Sequence, residues 1–380
     1  MAGSPHRLEP MRWWIVPIVL LWSAIALGLD RPDPSIPVNR AHPLPKGPLS
    51  ARDVAVVINS DDPLSEAIGT YYQRARQIPA DQVLRIHVPA NLPNLDPARF
   101  LSIRRQLLRQ TPAHVQVYAL AWSVPYRVGC QSITSAISFG LHPRWCAEAC
   151  TQTAVSPYFA RGEISRPWDR LRIRPSMLLA ASTLEQARAL INRGVAADGS
   201  MPNGTIYLLS TSDSRRNVRL QHYIRAERIL QPRLRVRLLK ADRLEGAPDV
   251  LGYFTGLMQV PAITSNRFRP GAIADHLTSL AGQLSDSPQM SALRWLEAGA
   301  TASYGTVVEP CNFPDKFPDP GLLFSYYRRG DTLIESYWRS VAMPGQGLFI
   351  GEPLARPWPR LAGLAIKKDD VAGASARHGQ

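Results

Sequence analysis

Lysine is nearly absent from the sequence: only five of its 44 basic residues are lysine. The 380 residues carry a formal net charge of +14, yet the patterns that read nucleic acid are missing. There is no zinc-finger spacing, no helix-turn-helix and no basic strand interleaved with aromatics. A nucleic-acid partner is therefore not expected; the arginine richness reads first as base composition, with contact with an acidic polymer or anionic lipid as a contribution. Also missing are a Gly-x-Ser-x-Gly elbow, a phosphate-binding loop and an HExxH helix, so the enzymes built on them are excluded and no cofactor is expected. After Pro359 there is no apolar span, so a C-terminal sorting signal is not expected.

What is present begins with a leader. Met11 to Leu29 carries Arg12 and then about 17 uncharged residues, ending near the small residues of Ala26-Leu27-Gly28. The run is shorter than the about 20 residues of a full span and contains Pro17. Residues 1–28 thus read as a cleavable signal, with an uncleaved inner-membrane anchor as the alternative. Either places the chain in the periplasm or cell envelope. The 34 prolines cluster early, so residues 29–50 read as an extended linker. Residues 51–359 read as the folded part and 360–380 as a mobile tail.

From Asp53 onward, short apolar runs alternate with helical patterns. Strands are expected at Val54–Ile58, Val83–Val88, Val115–Ala121, Met177–Ala181, Thr205–Ser210, Val236–Leu239, Val250–Phe254, Ala300–Tyr304 and Leu348–Ile350. Helices are expected between them, among them Gly271–Leu280 and Gln289–Ala298. The alternation predicts an α/β fold with a mostly parallel, doubly wound sheet, interrupted by a cysteine-containing loop insertion at about 122–175.

Four cysteines, Cys130, Cys146, Cys150 and Cys311, suit disulfides in an exported chain and allow three complete pairings. The Cys146-x-x-x-Cys150 spacing near His142 lacks a second pair at a finger-like distance, so no metal is expected. Ligands in open α/β sheets bind beyond the carboxyl ends of the strands. Five such ends are polar and are expected to converge on one rim. They supply Asn59, Arg127, Asp213 with Arg215 and Arg216, Thr255, and Glu309 with Cys311. Asn59 to Asp62 also suits a helix cap. Two arginines beside a positive helix N-terminus point instead to an anion. Cys311 as nucleophile, His276 as base and Glu309 beside them would form a Cys–His hydrolase site. The competing reading oxidises Cys311 to one of the loop cysteines.

Two resemblances follow from particular blocks. Val56-Val57-Ile58-Asn59-Ser60, Pro270-Gly271-Ala272-Ile273-Ala274-Asp275-His276-Leu277, Gly299-Ala300-Thr301-Ala302-Ser303-Tyr304-Gly305 and Gly351-Glu352-Pro353-Leu354 resemble an uncharacterised exported family of exosortase-carrying bacteria. That resemblance implies an envelope context. The last third is similar in layout to gingipain-type peptidases of caspase-like fold, and it implies a caspase-like or flavodoxin-like sheet. The peptidase pattern departs at two places: Thr255-Gly256 stands where His-Gly is expected, and no cysteine follows in Asp275–Gly282. The expectation is a binding or accessory protein of exosortase-type sorting or exopolysaccharide export, its partners acidic polymer or sorted envelope proteins. A hydrolase with a rebuilt site is the alternative.

Overall fold

The computed structural model describes residues 47–147 and 150–360. The leader, linker residues 29–46 and tail residues 361–380 lie outside them. Among the described residues no helix is long and apolar enough to cross a membrane.

The chain first forms β1 (Val54–Asn59), α1 (Pro63–Arg76), β2 (Val83–Ile86), β3 (Asn94–Leu95), α2 (Pro97–Gln110) and β4 (Val117–Leu120). The region expected as an insertion contains β5 (Arg127–Val128), β6 (Gln131–Ser132), α3 (Ile133–Phe139) and α4 (Pro167–Leu171). There follow β7 (Ser176–Leu178), α5 (Leu184–Ala197), β8 (Thr205–Ser210), α6 (Leu220–Leu230), β9 (Arg235–Lys240), β10 (Val250–Thr255) and β11 (Phe268–His276). The last elements are α7 (Leu293–Glu297), β12 (Ala302–Thr306), α8 (Pro320–Arg328), α9 (Leu333–Ser340) and β13 (Gly347–Gly351).

Three helices start alike. Asp62-Pro63, Asp96-Pro97 and Asp319-Pro320 each place an aspartate at the cap and a proline in the first turn. The carboxylates accept from the backbone N–H groups of Leu64, Arg99 and Leu322. Proline has no N–H to lose there, and its fixed φ suits the first turn.

Ten strands form one sheet in the order β2-β1-β4-β7-β13-β12-β11-β10-β8-β9, and β3, β5 and β6 form a small second sheet. Eight of the nine neighbouring pairs in the large sheet are parallel. The exception is β12 with β13, which run antiparallel from Ala302↔Gly351 to Thr306↔Gly347. The sheet is therefore two doubly wound halves meeting at an antiparallel seam. In each half the chain makes an inner strand, moves outward (β1 to β2, β8 to β9), then returns inward (β4, β10).

Helices cover both faces. Ile68 and Tyr72 of α1, Ala187 and Ile191 of α5, Tyr223 of α6, Phe324 of α8 and Trp338 of α9 pack on one face. Phe100 and Leu107 of α2, Ile133 of α3 and Leu293 of α7 pack on the other. Each such side chain, fully buried, stabilises by about 1.5–3 kcal/mol. The doubly wound, mostly parallel α/β fold is as the sequence predicts.

Two expectations are corrected. Gly271–Leu280 is not a helix: it lies largely in β11, a strand buried from Gly271 onward, where an apolar run without polar alternation fits either element. Nor do the five polar strand ends share a rim. Because the halves run in opposite directions, the ends of β1 and β4 lie on one edge and those of β8, β10, β11 and β12 on the other.

Candidate functional site

The edge formed by the ends of β8, β10, β11 and β12 holds most of the predicted residues. After β8 the chain turns through Thr211 to Asn217. Thr211 Oγ1 donates to the Gly256 carbonyl at 2.8 Å, tying β8 to β10. Asp213 accepts from the Arg216 backbone N–H at 3.1 Å and from Arg216 Nη1 at 2.7 Å. Arg216 Nε donates to Thr278 Oγ1 at 3.0 Å, which ties the turn to the segment after β11. Gly256 makes the approach possible: a Cβ there would stand 2.0 Å from the Arg216 carbonyl oxygen. Arg216 is thus consumed by Asp213 and Thr278, while Arg215 is exposed and forms no ion pair among the described residues.

His276 ends β11 and is fully buried. Its Nδ1 accepts from Trp295 Nε1 at 2.9 Å, and its Nε2 donates to the Met290 carbonyl at 3.0 Å. Burial holds the imidazole neutral by pushing its pKa down to about 3. With both nitrogens engaged and no solvent contact, His276 is not available as a general base.

Below the rim lies a charge pair that sequence reasoning missed. Arg219, at the start of α6, and Asp275, on β11, are both buried and meet at 2.6 Å. Arg219 Nη2 also donates to the Thr255 carbonyl at 2.9 Å, and Tyr223, Phe254 and Phe317 surround the guanidinium. Burial raises the Asp275 pKa, against the opposing pull of Arg219. A signal did exist: Asp275 interrupts an apolar run, and a carboxyl in a buried strand needs a partner. Thr255 is itself fully buried, with its hydroxyl facing no partner among the described residues, so it does not present a binding group to solvent.

Cys311 follows β12 with φ 56° and is joined to Cys150; Cys130 pairs with Cys146. The thiol nucleophile expected at Cys311 is therefore corrected to a structural cystine, which also staples the insertion to this edge. Lys316 reinforces the staple, its Nζ donating to the Thr151 carbonyl at 2.8 Å. Burial lowers the Lys316 amine to about 8 against the opposing pull of Glu309. Glu309 is exposed, and its carboxylate accepts from the Cys311 backbone N–H at 2.7 Å rather than facing His276.

Two predicted residues stand apart from this group. Asn59, on the opposite edge, is buried. Its side chain accepts from the N–H groups of Asp61 and Val88 and donates to the Val88 carbonyl, bridging β1 to the chain after β2. Arg127 lies in β5 of the small sheet, beside the hydrogen-bonded pair Tyr126 and Asp286. The structure thus brings Asp213, Arg216, Thr255 and His276 together and separates them from Asn59 and Arg127. Among the described residues no group of three or more His, Cys, Asp or Glu is placed to hold a metal ion.

No protein-family model and no curated protein matches the chain. Two solved structures are similar at low identity. One, titled "Structure of Protease", is 11% identical with a TM-score of 0.48, covering 82% of this chain and 80% of its own. The other, "Complex of Porphyromonas gingivalis RgpB pro- and mature domains", is 8% identical with a TM-score of 0.39, covering 80% and 79%.

Proposed function

We propose that this chain is a non-catalytic binding protein of the cell envelope, serving exosortase-type sorting or exopolysaccharide export with an acidic polymer as partner. One observation carries the non-catalytic part. The thiol and the imidazole a Cys–His hydrolase needs are both withdrawn, Cys311 into a cystine and His276 into the core with both ring nitrogens bonded. Beside them Arg216 is bonded to both Asp213 and Thr278, and Thr211 to the Gly256 carbonyl. The envelope context is supported by the pairing of all four cysteines, since such bonds persist in oxidising compartments. The arginine-dominated charge of +14 supports an anionic partner.

The test is a pair of assays on the purified chain. Mixed peptide and protein substrates should show no turnover with or without reductant, and immobilised polygalacturonate should retain the protein at low ionic strength. Turnover that appears under reductant and is lost in Cys311→Ala would establish the hydrolase instead. No retention by acidic polymer would refute the binding role.

A further inference from the structure

The amino ends of β8, β9, β10 and β11 enclose a cleft of about 530 Å³ on the edge opposite the His276 group. Ser200, Asn203, Arg235, Asp249 and Arg269 line it. Asp249 is fixed in its lining, accepting from Thr205 Oγ1 at 2.8 Å, Tyr207 Oη at 3.0 Å and Arg235 Nη2 at 2.9 Å. Strand register sets Arg235 beside Thr205 and Arg237 beside Tyr207. Arg267 and Arg269 are exposed, and among the described residues no carboxylate pairs with either. Arg235 and Arg269 therefore line the cleft beside a single carboxylate that is already engaged, with Arg237 and Arg267 each two residues along the chain from one of them.

We infer that this cleft binds an acidic polysaccharide, with the arginine forks receiving its carboxylates and Asp249 and Asn203 receiving its hydroxyls. The planar guanidinium matches a carboxylate through two parallel hydrogen bonds. The cleft volume falls in the range of about 300–1,000 Å³ usual for ligand sites. Arg235 and Arg237 stand two residues apart on edge strand β9, so cations recur about 6.6 Å apart along a line that a chain can follow. Asp249 selects among polyanions. A sugar hydroxyl can donate to its carboxylate, whereas a polyphosphate has no donor and is repelled by it.

This inference rests on the binding role proposed above and adds the place and chemistry of the ligand. The full chain would be titrated with polygalacturonate, long-chain polyphosphate and neutral dextran at low and physiological ionic strength. Two double variants probe the cleft: Arg235→Gln with Arg269→Gln, and Arg267→Gln with Arg269→Gln, the second breaking no ion pair. Arg99→Gln with Arg105→Gln, exposed on α2, removes equal charge elsewhere.

Each cleft variant should weaken polygalacturonate binding by about tenfold, while the α2 variant stays within about twofold and dextran does not bind. Equal losses in all three variants would reduce the interaction to net charge and overturn the cleft. Polyphosphate binding as tightly, with the same sensitivity, would overturn the sugar assignment. Polygalacturonate binding indifferent to the cleft variants would sink this inference while leaving the binding role intact. No polymer binding by the unsubstituted chain would remove both.

Discussion

Burial of His276 between Trp295 and the Met290 carbonyl changes what the imidazole contributes. Its folded-state pKa of about 3 lies below the ordinary 6.5. Between those values the unfolded chain holds a proton here that the folded chain lacks, so stability rises with pH and falls on acidification. The slope is at most about 1.4 kcal/mol per pH unit. His276→Gln should be less stable at neutral pH, yet lose less further stability between pH 6 and 4, as read by denaturant unfolding across that range. An unchanged slope would contradict the neutral assignment. The sequence located Thr255 at a strand end but read His276 as helical, and burial was legible at neither: a histidine beside a catalytic thiol and one bonded to a tryptophan leave the same local pattern. Asp275 was the better clue to the interior, because an isolated carboxyl in an apolar run has few acceptable environments.

At the scale of elements, apolar runs identified nine strands of the large sheet, and Asn59 to Asp62 was readable as the cap of the helix after β1. Strand β11 escaped because Ala272-Ile273-Ala274-Asp275-His276-Leu277 satisfies helical spacing as readily as strand burial. Its neighbours on both sides, β10 and β12, decide the matter by supplying hydrogen-bond partners. The turn after β8 is held against the end of β10 by contact at Gly256. Gly256→Ala should cost about 1–3 kcal/mol, since the new methyl meets backbone rather than a side chain able to rotate away. Denaturant midpoints would measure this, and a change below about 0.5 kcal/mol would show that the turn yields freely. Edge strand β9, with Arg235, Arg237 and Lys240 exposed, resists pairing with a second chain through like charge.

Across the whole molecule, the direction of each half-sheet could not be read from the sequence, because apolar periodicity reports burial and not which way a neighbour runs. That omission placed five strand ends on one rim when the seam divides them between two. The cystines act at this scale too. Cys150–Cys311 spans 161 residues and Cys130–Cys146 spans 16, so loop-closure entropy predicts a larger loss from breaking the first, about 4–5 against about 3 kcal/mol. Melting temperatures of the paired Cys→Ser variants would show the order, and a reversed order would mean that local contacts dominate. The seam also fixes a sequence of events. Strand β13 joins β7 to β12 but follows both in the chain, by more than 160 residues in the case of β7. Until residues 347–351 arrive, each half carries a bare inner edge open to mispairing. A chain delivered amino end first must therefore keep two adhesive borders apart until its final strand closes them.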